Sequence, residues 1–193
     1  MGAKEEDIAV EKFNKDKIQN VVVKKKGKTE EIVIIGAHYD KTEAGCGAID
    51  NWTGISMIAH LFKTLSKLET QKSYVFVAFD QEEKGLLGSE AMAKAIPKES
   101  KSQYCAMVNL DSFGFTAPFA LQHISSNSLI KMAQETAKAN GMKFQDIVIP
   151  GASSDSAPFK NKKIPAITLS GLDNKWQEYL HNKNDQLPKI NME

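Results

Sequence analysis

The sequence predicts an α/β fold: a three-layer α/β/α sandwich around a mostly parallel mixed central sheet. Three observations carry this. Tyr74 to Phe79, Ile32 to Ile35 and Tyr104 to Leu110 are short, largely apolar runs rich in β-branched and aromatic residues. Runs of that kind read as strands buried on both faces. Helical stretches alternate with them, the pattern of crossover connections in a parallel sheet. Each run also turns polar abruptly: Asp80 to Glu83 after Tyr74 to Phe79, His38-Tyr39-Asp40 after Ile32 to Ile35, and Asn109-Leu110-Asp111 at the close of Tyr104 to Leu110. In open α/β sheets ligands bind in the crevice outside the strands' carboxyl ends.

The elements follow in order. Residues 1–20 are charged, with Ile8, Val10, Phe13 and Ile18 scattered among them. They predict an N-terminal arm, loose or as a short helix, which leaves 21–193 as a single α/β domain. Val21 to Val23, the basic Lys24 to Lys28 and Ile32 to Ile35 read as a β-hairpin with a charged turn. Thr42 to Ala48 is a loop, and an amphipathic helix runs from about Thr53 to Leu68. Asp50 stands at its entrance, where an N-cap is the ordinary reading. His60 lies inside that helix and reads as structural. After the Tyr74 to Phe79 strand, a second helix spans Gly88 to Ile96 and stops at Pro97. Phe119 to His123 predicts a short edge strand. Ser126 to Ala139 predicts a helix closed by Asn140-Gly141. Phe144 to Ile149 and Pro165 to Leu169 predict strands, and between them Gly151 to Phe159 is a tight loop opening a one-turn helix. The last stretch carries Trp176, Tyr179, His181 and Asp185.

Composition sets limits. A chain of 193 residues suffices for one domain with a substantial core. With a net charge of +1 there is no general drive toward nucleic acid or anionic membrane. The basic Lys24 to Lys28 run is sufficiently explained as a solvated turn. No segment is long and apolar enough to span a bilayer. Two cysteines, Cys46 and Cys105, are too few for a disulfide framework. The start lacks the apolar region of a signal peptide. The expectation is therefore a soluble chain, cytoplasmic unless a leader was removed, in which case secreted or periplasmic.

The polar residues at the strand ends form a set: His38, Asp50, Glu82, Glu83, Asp111 and His181. Imidazoles and carboxylates without thiolate suit zinc, and also manganese or cobalt. Five ligands with one bridging carboxylate would hold two ions, roughly 3.5–4 Å apart in two-metal hydrolases. The remaining carboxylate is placed as a general base should be. His38 and Asp40 are two apart, so both point the same way along an extended chain. A carboxylate there fixes the histidine's tautomer. Each feature alone has an ordinary explanation: acidic residues favour helix starts, and histidines are often packed in cores. Recurrence of the same acidic ending at three strands favours a site.

The segments GAHYD (Gly36 to Asp40), GAIDNWTG (Gly47 to Gly54), FDQEEKGLLGS (Phe79 to Ser89), MVNLD (Met107 to Asp111) and SSDSAPF (Ser153 to Phe159), closing with His181 and Asp185, resemble the co-catalytic zinc aminopeptidases of the M28 peptidase family. The likeness runs from about residue 30 to 188. It implies that 21–193 is a catalytic domain that removes N-terminal residues from peptides and takes two Zn2+ per chain. By position, His38 and Asp111 would serve one zinc, Glu83 and His181 the other, and Asp50 both. Glu82 would be the general base. Asp40 would orient His38, and Asp185 would orient His181. The Asp50–Asn51 peptide would be cis. Phe113, Trp176 and Leu180, beside ligands, are candidate walls of an apolar pocket for the first side chain of a peptide with a free N-terminus. The sequence departs from the family at Ser156, where histidine is common, and at Asn182, where threonine is. It also ends at Glu193, where relatives carry a long helix; exposed apolar surface there predicts a homodimer or a domain of marginal stability. Two other readings remain open. One is a glutaminyl cyclase of the same fold, with a single zinc on Asp50, Glu83 and His181 and Glu82 as proton shuttle. The other is a non-catalytic interaction domain.

Overall fold

The computed structural model describes residues 3–190. Eight strands form one sheet: β1 (Ile8–Phe13), β2 (Ile18–Lys25), β3 (Ile32–His38), β4 (Ser73–Phe79), β5 (Tyr104–Leu110), β6 (Phe119–Leu121), β7 (Gln145–Ile147) and β8 (Ala166–Ser170). Their order is β1-β2-β4-β3-β5-β8-β6-β7. The central pairings β4/β3, β3/β5 and β5/β8 are parallel, as is β6/β7, while β1/β2, β2/β4 and β6/β8 are antiparallel. The sheet is thus mixed and parallel at its centre.

The apolar runs alternate their side chains between two helical layers. Ile35, Ala37, Phe76 and Leu110 pack under α1 (Thr53–Leu65), through Ile55, Ile58 and Phe62. On the same face α3 (Asn127–Ala139) sets Ile130 on Ala120 and Ile167. Ile34, Val75, Val77, Phe79 and Met107 point to the other face, toward Met92 and Ala93 of α2 (Leu87–Ala95) and Phe159 of α4 (Ser156–Asn161). Gly36 has no side chain because the Phe79 ring occupies its place: a Cβ there would collide with the ring. This close packing brings the ends of β3 and β4 together, where the polar residues begin.

Three elements differ from the sequence expectation. Residues 8–13 are an edge strand paired to β2, not a loose arm or helix. Ile8 and Val10 stay exposed there, so burial left no periodic mark in the sequence. The hairpin is therefore β1–β2. The expected partners β2 and β3 both flank β4 instead, because the chain between them is taken up by the segment entering β4: Lys28 N–H donates to Thr70 O at 3.0 Å and Thr29 N–H to Gln71 O at 2.8 Å. Finally, β6 lies inside the sheet between β8 and β7, not at its edge. No helix among the described residues is long and apolar enough to cross a membrane.

Candidate metal centre

The site gathers at the carboxyl ends of β3, β4 and β5. His38 closes β3 and is fully buried. Its Nδ1 lies 3.2 Å from the Asp40 carbonyl and 3.5 Å from Asp40 Oδ1. The Asp40 carboxylate also accepts the backbone N–H groups of Glu82 and Glu83, at 3.0 and 3.2 Å. One partly buried carboxylate therefore ties the histidine to the loop after β4.

Asp50 is 5% exposed and central. Its Oδ1 lies 3.1 Å from His38 Nε2, and its Oδ2 lies 3.1 Å from His181 Nε2. Asp111 Oδ1 approaches His38 Nε2 at 3.7 Å, and Glu83 Oε2 approaches His181 Nε2 at 3.4 Å. The two oxygens of one aspartate thus face two separate ligand groups. Asp50 does not cap α1. From one residue before the N-cap Trp52, Asn51 serves the first turn instead: its Oδ1 accepts Gly54 N–H at 3.0 Å and Ser112 N–H at 3.1 Å, while its Nδ2 donates to Leu110 O at 2.9 Å. Asn51 thereby locks the end of β5 to the start of α1. The Asp50–Asn51 peptide is cis.

These residues fit metal ions. Two atoms bound to one tetrahedral zinc, each about 2.1 Å from it, lie roughly 3.4 Å apart; the nitrogen–oxygen distances above bracket that value. His38 Nε2 and Glu83 Oε1 are buried without a hydrogen-bond partner, a costly state that a cation would relieve. His38, Asp50 and Glu83 offer ligand atoms within 4.8 Å of one another, and so do His38, Glu82 and Asp111.

The electrostatics say the same. Burial pushes Glu82 up to about 10, with Asp155, Asp111 and Asp50 adding to it and His38 opposing. Burial and Asp50 raise Glu83 to about 7. Burial alone would strip the proton from His38, yet the carboxylates of Asp111, Asp40 and Asp50 hold its pKa well above the usual imidazole range. His181 is raised chiefly by Asp50. Asp50 is itself held low: burial opposes this, but the two histidines outweigh it. Protons are retained because the cage is short of positive charge, which bound cations would supply.

Of the sequence-derived site residues, His38, Asp50, Glu82, Glu83, Asp111 and His181 come together. Asp185 differs from expectation. Its Oδ1 accepts Ile49 N–H at 2.6 Å, so it braces the segment carrying Asp50, and no hydrogen bond joins it to His181 among the described residues. Trp176 and Leu180 line a cleft of about 330 Å³ that opens on Asp50, Glu82, Glu83 and Asp111, with Leu121, Ile149 and Leu172 as further apolar walls. Phe113 does not line it; its ring packs with Leu110 and α1 in the core. His60 is exposed on α1.

Sequence reasoning missed a buried polar chain behind Asp111. Ser154 donates to Asp111 Oδ2 at 2.5 Å and accepts from Asn109 Nδ2 at 2.6 Å. Asn109 also reaches Thr168 Oγ1 at 3.4 Å, and Thr168 donates to Ser156 at 2.6 Å. It missed Asp155 as well, fully buried and raised by burial to about 7. The signal available was an acid set among small residues in Ser153 to Ala157.

An α/β/α sandwich with an imidazole–carboxylate cage at its strand ends has the donor set of a metal centre. The chain belongs to Peptidase family M28, whose family model matches residues 20–193, and so to a family of metal-dependent peptidases. It is similar to Aminopeptidase YwaD of Bacillus subtilis (strain 168), 26% identical over 201 residues, 98% of this chain and 44% of that protein. Aminopeptidase Y of Saccharomyces cerevisiae is 28% identical over 159 residues, 78% of this chain and 29% of that one. The structure of BSAP, a zinc aminopeptidase from Bacillus subtilis, superposes with a TM-score of 0.81 at 26% identity, covering 90% of this chain and 45% of that one. A Porphyromonas gingivalis glutaminyl cyclase shares the fold, with a TM-score of 0.77 at 20% identity, over 95% of this chain and 75% of that one. The chain spans less than half the length of YwaD and of BSAP.

Proposed function

We propose that the chain is a dinuclear zinc aminopeptidase. The observation that carries this is Asp50, whose two oxygens each lie 3.1 Å from a different histidine. His38 and Asp111 would hold one zinc with Asp50, and Glu83 and His181 the other. When bound, such a pair lowers the pKa of the attacking water and polarises the scissile carbonyl.

The remaining work falls to the chain's own residues. Glu82 takes the proton from the attacking water and delivers it to the leaving amine. Asp40 fixes the orientation of both the Glu82–Glu83 backbone and the His38 ring. The acidic surroundings suit a substrate's free ammonium group, and Leu121, Ile149, Leu172, Trp176 and Leu180 favour an apolar first side chain. Residue roles rest on this geometry together with the family membership. A single-zinc cyclase would use Asp50, Glu83 and His181 alone and leave His38 and Asp111 without a task. The test is product analysis on leucyl-p-nitroanilide, its N-acetylated form and a peptide beginning with glutamine. The proposal expects release of free leucine, no cleavage of the blocked substrate and no pyroglutamate. Pyroglutamate formation without leucine release would select the cyclase.

A further inference from the structure

We propose that Asn20, on β2, is a positioning residue that staples shut the loop carrying Glu82 and Glu83; this rests on the roles assigned to those two residues above. Asn20 is fully buried. Its Oδ1 accepts Asp80 N–H at 3.1 Å, and its Nδ2 donates to Gly88 O at 2.9 Å. Beneath it, Gly88 N–H donates to Asp80 O at 2.9 Å. The segment from Asp80 to Gly88 is thus a closed ring whose neck is gripped at both ends by one side chain. Gly88 is required for the fit, since a Cβ there would collide with Asn20 Oδ1 and Asp80 O.

The ring needs an external hold. Gln81 and Leu86 lie in the left-handed region, at φ of 56° and 62°, which L side chains disfavour. Such a conformation persists where surrounding contacts impose it. The start of β2 adds further contacts. Gln19 N–H donates to Asp80 Oδ2 at 2.9 Å, Gln81 Nε2 donates to Lys17 O, and Tyr39 OH donates to Gln19 O at 3.0 Å. Asp40 grips the same loop from the β3 side through the N–H groups of Glu82 and Glu83. The base and the ligand are therefore clamped between two strands, and Asn20 is the residue of β2 that spends its whole amide on the loop.

The test uses Asn20→Ala and Asn20→Asp in the full chain. Asn20→Asp keeps the acceptor for Asp80 N–H and loses the donor to Gly88 O. Ile130→Ala, in α3 and away from the site, serves as a destabilised control. Three quantities are read at a temperature where far-UV circular dichroism shows each protein folded: zinc affinity by chelator competition, kcat and KM on leucyl-p-nitroanilide, and amide hydrogen exchange of the 81–87 peptide. Asn20→Ala is expected to weaken zinc binding about tenfold, as loss of outer-shell support does. It should lower kcat at least tenfold with KM within twofold, and expose the loop amides. Asn20→Asp should fall between it and wild type, and it carries the test alone if the alanine variant does not fold. Ile130→Ala should melt earlier with all three readouts unchanged. An Asn20→Ala protein that only melts earlier, with zinc affinity, kcat and loop exchange as in wild type, would overturn the proposal. A wild-type protein with neither zinc binding nor turnover would sink the reading of the site instead. Loop exchange would then decide the staple by itself: faster in Asn20→Ala upholds it, unchanged rejects it.

Discussion

Removing the Asp185 carboxylate should cost both stability and metal affinity. The side chain is 3% exposed, and its Oδ1 accepts the N–H of Ile49 at 2.6 Å. Ile49 is fully buried, so Asp185→Ala leaves a buried donor without a partner. That costs about 1–3 kcal/mol. For a domain of this size each kcal/mol lowers Tm by roughly 2–4 °C, so the expected loss lies between about 2 and 12 °C. Asp185→Asn retains an acceptor and should lose the smaller part. Because Ile49 precedes Asp50, the proposed bridge, a loosened segment should weaken both proposed zinc positions, by roughly tenfold or more. The assay is thermal unfolding of metal-free protein, followed by zinc competition on the folded variant. Loss confined to one zinc would instead mean that Asp185 acts on His181 alone. Unchanged Tm and unchanged affinity would refute the bracing role altogether.

Three further outcomes follow from the site. Glu82→Gln should keep the fold and the bound zinc but lose about 10²–10⁴ in kcat; full turnover in that variant would remove Glu82 as the base. Asp50→Ala should lose both zincs together, and elemental analysis finding two tightly held ions in it would contradict the bridge. In metal-free protein, His38, His181, Glu83 and Asp155 all hold protons more tightly when folded. Their contribution is complete below the unfolded pKa values, and it fades as pH rises through the folded ones, about 7 for the two carboxyls. Asp40 and Asp50 are shifted down and change nothing above pH 5. Tm of the chelated protein should therefore fall from pH 5 to pH 8, and zinc should remove most of that fall; a Tm rising over that interval in chelated protein would contradict it.

What the sequence revealed followed burial. Tyr74 to Phe79 and Ile32 to Ile35 are covered by helices on both faces, so their residues had to be apolar throughout and were legible as strands. The acids and histidines after them were legible because the apolar runs end at once. β1 was not, since four of its six residues are exposed and Glu11 and Lys12 look like any charged segment. Pairing was misread at β2 because proximity in sequence suggested β3, whereas β4 enters between them. Asn20 gave no signal, and Asn109 and Ser154 stood in recognisable segments with no sign of their partners: one polar residue looks like another until the fold buries it against a particular group. The same holds for Asp185, whose partner is a backbone N–H that no side-chain pattern announces. Phe113 stood next to a ligand in sequence, but its neighbour's position does not set where a ring points, and it packed into the core.

The dinuclear site is tested most directly by zinc content per chain, measured by elemental analysis after purification without chelator and supply of zinc. The two faces of Asp50 predict two zincs per chain, lost together in Asp50→Ala. One zinc per chain, retained when His38 or Asp111 is replaced, would contradict the bridge and leave a mononuclear centre on Asp50, Glu83 and His181.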